Sequence, residues 1–341
     1  MRILCFDVGS SSVKFGLYAA DASGVSALHE GSRDATGEAG AAAAIAAVRA
    51  ELGGESVDAI GHRVVFAGPD APPAIAATPE TIRALGAFEP RFPLHLPAQR
   101  AFIAAAAAAF AGVPAALCSD TAFHRGLPPV ARRYPFPDLP DGAIERIGFH
   151  GLSFDYIFHR DPSLRRGRTI VAHLGSGASL CGVRDGRVLE TTMGCSVLGG
   201  VVMATRPGDL DPGAILELLR RGRSVDDVRA MCYEECGWKG LSGGTSDMRT
   251  LLAREAADAR ARDAVESFVY SCVKAAGATI AVLGGLDTLV FTGGIGEGSA
   301  EIRERIADGL AFAAPSRVLV VPTDENAAIA RRTRELFASD G

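Results

Sequence analysis

Three glycine-rich turns follow or separate apolar runs in this sequence, and each could bring backbone N–H groups close to phosphate oxygens. The first is Gly9-Ser10-Ser11-Ser12, with Lys14 just beyond it. Its small residues permit close approach, and the Ser10 and Ser12 hydroxyls and the Lys14 ammonium add donors. The second is Gly175-Ser176-Gly177. The third is Gly293-Gly294-Ile295-Gly296-Glu297, directly after the apolar run LVFT and before a helix. A glycine loop at a strand-to-helix junction offers a helix N-terminus to a phosphate or adenosine group. A lone GSSS turn reads as an ordinary hairpin turn; three glycine turns in one chain carry more weight. Charged residues punctuate other strand ends: Arg63 in GHRVVFAG, Asp120 in CSDTAFH, His150 in IGFHGLSF, Arg206 in ATRPGDLDP, and Asp247 and Arg249 in SGGTSDMR. Each alone reads as a solvated charge or a structural ion pair. His150 alone reads as a core histidine, and Asp209 or Asp211 as the cap of a helix starting at Pro212. Together the set suits phosphoryl transfer. Arg grips phosphate or carboxylate bidentately, carboxylates hold Mg²⁺, and a protonated His neutralises charge on phosphoryl oxygens. The GxxxxGK[ST], GxSxG and GxGxxG spacings are absent.

These residues need a frame of alternating strands and helices, which is α/β architecture. Arg2–Asp7, Val13–Ala19, Ala59–Phe66 and Ala115–Cys118 read as strands, with an alanine-rich helix at Pro97–Ala111. Thr169–Leu174 reads as a buried strand and Ala178–Glu190 as a hairpin turning on Arg184-Asp185-Gly186. Asp211–Arg221, Val225–Glu235 and Asp247–Gly284 are mainly helical. A strand at Thr288–Thr292, a helix at Ser299–Ala311, a strand at Arg317–Val321 and a helix at Glu325–Ala338 complete the chain. One internal repeat is present. RILCFDVGSSSVKFGL (2–17) aligns without gaps on RTIVAHLGSGASLCGV (168–183), at a constant offset of 166. The repeat reads either as two similar hairpins or as a duplicated domain.

Composition bounds the rest. A chain of 341 residues exceeds one hydrophobic core, so two domains are expected. Apolar residues are 48% and charged residues 22%, a globular balance. The net charge of −5 disfavours a nucleic-acid binder. Ala101 to Leu117, the longest apolar stretch, contains Gly112 and Pro114 and is too short and weakly hydrophobic to span a bilayer. No signal peptide is visible at the start. Seven scattered cysteines, an odd number, argue against a disulfide framework. A reduced cytoplasm and no membrane partner are therefore expected.

The segments FDVGSSSVKF, GHRVV, PLH, SDTAFH, GFHG, HLGSGAS, TTMG through TRPGDLDP, SGGTSDMR, FTGGIGE and PTDENAAIARRT, in that order, resemble the acetate kinase family of acetate and propionate kinases. The resemblance implies a duplicated actin-like, ribonuclease-H-like fold of the acetate-and-sugar-kinase, Hsc70 and actin superfamily, with an interdomain cleft. Domain I would span 1–121 and be completed by the C-terminal helix 326–341; domain II, nucleotide-binding, would span 122–325. Carried onto matching positions, Arg63 and Arg206 would bind the acyl carboxylate and the phosphoryl group in flight. His150 would stabilise the transition state. Asp120 and Glu325 would organise Mg²⁺ or Mn²⁺, with Asp7 as a further ligand. His173, Gly175, Ser176 and Gly177, with Ser10, Ser12 and Lys14, would border the ATP phosphates. Asp247, Met248, Arg249 and the loop Gly293, Gly294, Ile295 and Gly296 would hold adenosine. Val65, Leu94, Phe149 and Val197 would line the acyl pocket, with His95 beside it. A homodimer acting on ATP and a small carboxylic acid is implied.

The chain departs from that family at several positions. It has Asp7 and Ser176 where the family has Asn, Phe66 and Phe154 where the family has His, and Val197 in place of a pocket proline. It is also some tens of residues shorter. Two rivals follow: a kinase of a different or larger acid, and a silent nucleotide-binding member of the fold.

Overall fold

The computed structural model describes residues 1–9, 12–34, 37–93, 95–139 and 144–338. Its first part runs β1 (Arg2–Val8), β2 (Ser12–Asp21), β3 (Gly24–Asp34), α1 (Gly37–Glu51), β4 (Ala59–Val64), β5 (Ala74–Ala76), α2 (Pro79–Leu85), α3 (Leu96–Ala109) and β6 (Ala115–Ser119). Then come α4 (Pro129–Arg132), α5 (Gly151–Arg160), β7 (Arg168–Leu174), β8 (Ala178–Arg184), β9 (Arg187–Thr191), α6 (Pro212–Arg220) and α7 (Val225–Ala230). The chain ends with α8 (Gly237–Ser242), α9 (Met248–Arg254), α10 (Ala259–Leu283), β10 (Thr288–Thr292), α11 (Gly293–Gly298), α12 (Ala300–Gly309), β11 (Arg317–Val320) and α13 (Glu325–Ala338). It divides into two compact units. Unit 1 holds Met1–Arg125, Gly151–Tyr156 and Asp324–Gly341; unit 2 holds Gly126–His150 and Ile157–Thr323.

Unit 1 is built on a sheet of order β3-β2-β1-β4-β6-β5. β1, β4 and β6 are parallel neighbours, while β2 pairs antiparallel with β1 and β3 antiparallel with β2. Alternation along β1 assigns its two faces. Leu4, Phe6 and Val8 enter a core with Ile45 and Val48 of α1 and Phe102 and Ala106 of α3. Ile3 and Cys5 enter the opposite core with Ala327 to Ala330 of α13. The last helix in the sequence therefore covers the face that α1 and α3 leave bare.

Unit 2 repeats the plan with order β11-β10-β7-β8-β9, in which β7, β10 and β11 are parallel and β8 and β9 antiparallel. Strands β7 and β8 begin where the offset of the sequence repeat places them. The pairing differs by one residue: Val8 pairs with Val13, whereas Leu174 pairs with Ala178. The second turn is thus one residue tighter. Helix α10 packs on β8, with Thr279 and Leu283 over Gly182. Among the described residues, α10 is the helix long and apolar enough to cross a membrane by length and composition. Its buried residues, among them Ala264, Val265, Phe268, Cys272, Ala276 and Ile280, recur every three or four positions and make one stripe.

Several elements lie where the residues carry no marked pattern. Strand β3 is largely exposed and has no clean apolar alternation. Helix α1 is nearly all alanine along its middle, and the sequence reading also left out β5, α2, α4 and α5. The glycine run after β10 is a correction: Gly293–Gly298 is a helical turn, α11, not an open loop.

Gly61 on β4 tests the seat of α13. A Cβ there would lie 2.4 Å from Ile329 Cγ2 and 2.5 Å from Thr333 Oγ1. Gly61→Ala should cost about 1–3 kcal/mol, the scale of overpacking a core. Urea unfolding measures it, and an unchanged midpoint would show that α13 is not seated on Gly61.

Candidate functional site

In unit 1 the parallel register sets three charged residues side by side. Phe6 pairs with His62, and Val64 with Ser119, so Asp7, Arg63 and Asp120 meet at the C-terminal ends of β1, β4 and β6. Such strand ends are where open α/β sheets bind ligands. Arg63 Nη1 donates to Asp7 at 2.9 Å and Nη2 to Asp120 at 3.0 Å. Its buried Nε has no partner among the described residues. Asp120 is fully buried, and its backbone carbonyl accepts the Gly151 N–H at 2.8 Å. Lys14 stands opposite Asp7 across the β1–β2 pair. Glu325, the first residue of α13, shares a hydrogen bond with Asp7.

Burial and the Asp7 charge push the Glu325 carboxyl well above the carboxylate range, so it holds a proton at neutral pH. Burial also pushes Asp7 upward, but Arg63, the Glu325 hydrogen bond and Lys14 outweigh it and keep Asp7 ionised. Burial opposes the charge on Arg63, and the surrounding carboxyl groups more than compensate. The extra charge of Asp7 is therefore matched by the guanidinium beside it.

Val65 is buried and its N–H donates to Gln99 Oε1 at 3.0 Å. Phe66 packs among Phe88 and Phe92, with ring centroids 4.9 and 5.5 Å away. Ser10 and Leu94 lie outside the described residues. Ser12 opens β2, and its carbonyl accepts the Gly9 N–H at 2.8 Å.

Unit 2 gathers a second set around the tight turn Gly175-Ser176-Gly177. His150 caps α5 with φ +57°, a left-handed conformation that non-glycine residues seldom adopt. Its Nδ1 is 2.8 Å from Ser179 Oγ, and its ring stacks on His173 at 4.2 Å and 16°. A Cβ on Gly177 would be 3.2 Å from Arg206 Nη2 and 3.5 Å from His150 Nε2, so both side chains lie against the turn. Arg206 Nη1 also donates to the Val197 carbonyl at 3.1 Å. Phe149 and Val197 are buried.

A cavity of about 700 Å³ opens in the same unit. Of the residues singled out from sequence, Gly175, Ser176, Asp247, Met248, Arg249, Gly294 and Ile295 line it. Trp238, Ser246, Leu252, Gly298 and Ser299 line it too, and the sequence reading missed them. Trp238, the single tryptophan in the chain, beside a Gly/Ser-rich stretch, was the one signal available. His173, Gly177, Gly293 and Gly296 are not among the lining residues. Gly293 spends its N–H on Glu297 Oε1 at 2.9 Å, so α11 presents Gly294, Ile295 and Gly298 rather than its first N–H. Asp247 caps α9 through the Arg249 N–H at 3.1 Å. Asp211 caps α6, whereas Asp209 accepts the Gly200 N–H at 2.7 Å.

Two sheets of like topology, a cavity of this volume, and an arginine and a histidine against a glycine turn are the parts expected of a nucleotide-dependent phosphotransferase. The family model described as the acetokinase family matches residues 40–316. The acetate kinase of Nitrobacter hamburgensis is 42% identical over 306 residues, covering 82% of this chain and 75% of that one. That of Deinococcus deserti is 39% identical over 99% of this chain and 98% of its own. Among solved structures, Porphyromonas gingivalis acetate kinase has a TM-score of 0.86 at 27% identity, covering 98% of this chain and 99% of that one. A propionate kinase from Francisella tularensis has a TM-score of 0.88 at 28% identity, with the same coverage. The chain belongs to the acetokinase family, and is a phosphotransferase with a carboxyl group as acceptor.

His62, beside Arg63, stacks on Phe6 at 5.5 Å, and its buried Nδ1 has no partner among the described residues. Burial pushes its pKa from 6.5 down to about 3. Between those values the unfolded chain binds a proton that the folded chain refuses. This part of the stability is complete above pH 6.5 and falls as pH drops, by about 1.4 kcal/mol per unit. His62→Leu removes it, so the variant should gain about 2 kcal/mol relative to wild type between pH 6.5 and 4.5 in urea unfolding. A gap that does not change with pH would show that His62 is charged in the fold.

Proposed function

We propose that this protein transfers the γ-phosphoryl group of ATP to the carboxylate of acetate or propionate, reversibly and by direct in-line transfer, giving an acyl phosphate and ADP. One observation supports this above the others. His150 and Arg206 lie against the turn Gly175–Gly177, and Gly175 and Ser176 of that turn line the cavity. An arginine and a histidine are thus held at the end of the cavity formed by the small residues of this turn.

A carboxylate acceptor is already ionised at pH 7, since carboxylic acids titrate near pH 4 to 5. No general base is needed, and the protein's work is alignment and charge neutralisation. Arg206 would follow the phosphoryl group as charge spreads over its oxygens. His150, fixed at Nδ1 by Ser179, would direct Nε2 toward the same group. Arg63, held in orientation by Asp7 and Asp120, would receive the acid carboxylate. Val65, Phe149 and Val197, with Leu94, would set the apolar limit on the acid. The Gly294–Ile295 side of α11 and Asp247 to Arg249 would hold the nucleoside.

Asp7 and Glu325 would hold a magnesium ion, Glu325 giving up its proton as the ion binds. Asp7 and Glu325 are close enough to share a hydrogen bond, and their oxygens are the hard donors Mg²⁺ takes. Among the described residues no three His, Cys, Asp or Glu side chains form a metal-binding group. One or two carboxylates completed by phosphate oxygens and water is the ordinary pattern for Mg²⁺. When bound, the ion neutralises charge on the phosphates; Mn²⁺ could replace it. A homodimer and a cytoplasmic location belong to the same proposal.

Arg206→Ala should lower kcat by about 10²–10³-fold in a hydroxamate assay for acyl phosphate, the scale of losing one electrostatic stabiliser. Near wild-type kcat at saturating acid and ATP would remove Arg206 from the catalytic set. Glu325→Gln should greatly raise the Mg²⁺ concentration needed for activity, and an unchanged Mg²⁺ titration would leave Glu325 only its role in the first turn of α13. Across a panel of acids, acetate and propionate should be best and within about 200-fold of one another in kcat/KM, because one methylene is worth about 1–3 kcal/mol. Val65→Ala should shift preference toward propionate or butyrate. Acyl phosphate from a larger or hydroxylated acid, with none from acetate or propionate, would overturn the substrate assignment.

A further inference from the structure

Trp238 touches two parts of unit 2 that the reaction requires to act together. Its side chain is buried yet forms part of the cavity wall. The indole Nε1 donates to the Ser246 carbonyl at 2.9 Å, just before the lining residues Asp247, Met248 and Arg249. Its backbone N–H donates to the Met203 carbonyl at 3.0 Å, and the Lys239 N–H donates to the Ala204 carbonyl at 3.0 Å. Met203 in turn donates to the Arg206 carbonyl at 3.0 Å, and Ala204 to the Ser176 carbonyl at 3.0 Å. The turn that carries Arg206 therefore hangs on the segment that carries Trp238.

Two further features make this join specific. Gly237 has φ +64°, and a Cβ there would lie 1.9 Å from the Met203 carbonyl and 2.9 Å from that of Arg206. The backbone before Trp238 is thus pressed onto the 203–206 turn as closely as only glycine allows. The indole is also fixed by an edge-on contact with Phe268 of α10, at 5.0 Å and 69°. A residue whose ring is clamped on α10 and bonded to the cavity lip, and whose backbone N–H is bonded to Met203 of the Arg206 turn, transmits displacement rather than absorbing it.

We infer that Trp238 is a positioning residue that couples occupation of the nucleotide cavity to the placement of Arg206. The inference rests on the reading of that cavity as the nucleotide site. A nucleotide in the cavity packs against the indole and the Ser246–Arg249 lip, and this fixes the 203–206 turn through the Met203 and Ala204 bonds. A residue that merely walled the cavity would affect nucleotide affinity and nothing else.

ADP alone, added to the wild-type protein, is the probe. Because Trp238 is the only tryptophan, intrinsic fluorescence should change saturably with ADP. Hydrogen exchange should slow in peptides spanning Met203 to Arg206. Trp238→Phe keeps a ring against Phe268 but removes the indole donor, leaving the Ser246 carbonyl without it. It should weaken ADP binding about 5- to 20-fold by calorimetry and abolish the protection of the 203–206 peptides at saturating ADP. It should also lower kcat at saturating ATP and acid by fivefold or more, and add no further loss to Arg206→Ala. Weaker ADP binding with kcat and exchange protection unchanged would overturn the coupling, leaving Trp238 as a wall. If the variant does not fold, the wild-type measurements decide: ADP binding without protection at 203–206 overturns the inference. Failure of the wild type to make acyl phosphate from either acid would instead sink the proposed reaction, and the fluorescence and exchange results would still decide the role of Trp238.

Discussion

The guanidinium of Arg63 lies between the carboxylates of Asp7 and Asp120, and unit 1 is arranged around this contact. All three residues sit at the ends of parallel strands, so the ion pairs exist only if β1, β4 and β6 keep their register. The three groups are largely buried, with side-chain exposures of 15% for Arg63, 8% for Asp7 and 0% for Asp120. Breaking one partner of a buried pair leaves an uncompensated charge, at a cost of about 3–5 kcal/mol. The same contact that fixes the orientation of the arginine thus also holds three strands in alignment. The third carboxyl, Glu325, comes from α13, the helix that closes the sheet face carrying Ile3 and Cys5. Core packing of the last helix therefore delivers an acid to the strand ends.

Unit 2 uses the same topology for a different purpose. Its counterpart of the β1–β2 hairpin turns one residue sooner, and the tighter turn brings a glycine backbone against the Arg206 and His150 side chains. His150 accepts a left-handed backbone to reach this place, with Ser179 and His173 holding its ring. Backbone strain at a residue so fully held is a common mark of functional positions. Helix α10 supports the arrangement from behind, through Phe268 on Trp238 and Thr279 over β8. Its apolar stripe is used against its own unit.

Three positions singled out from the sequence, Phe66, Phe154 and Asp7, are held by ring packing or by opposite charge. Phe66 joins Phe88 and Phe92, and Phe154 packs among Phe123 and His124. Both are apolar anchors, each buried against other rings. The Asp7 charge is matched by Arg63 and Lys14, and its carboxylate shares a hydrogen bond with a protonated Glu325. A charge at this depth is stable only with such partners.

The sequence by itself determined the two hairpins, most of the strands, the final helix and several of the residues that line the cavity. These signals are local: a glycine turn between apolar runs, a Pro after Asp211, an unbroken apolar run before Gly293. The repeat at offset 166 placed both halves of the fold because each copy keeps its own strand-turn-strand pattern. The tertiary structure alone decided which charges meet. That Arg63 is shared between Asp7 and Asp120 depends on strand register, which no short window specifies. The one-residue difference in the second turn is invisible to a gapless alignment, because it is set by pairing rather than by length. The glycine run after β10 became a helix because Glu297 takes the Gly293 N–H, a bond between residues four apart that propensity for glycine would not predict. Trp238 was legible only as a lone aromatic; its place in the cavity wall depends on α10 and the 203–206 turn, which are distant in sequence or irregular in shape. Local chemistry is written in neighbouring residues, whereas partnership across strands and helices is set by packing.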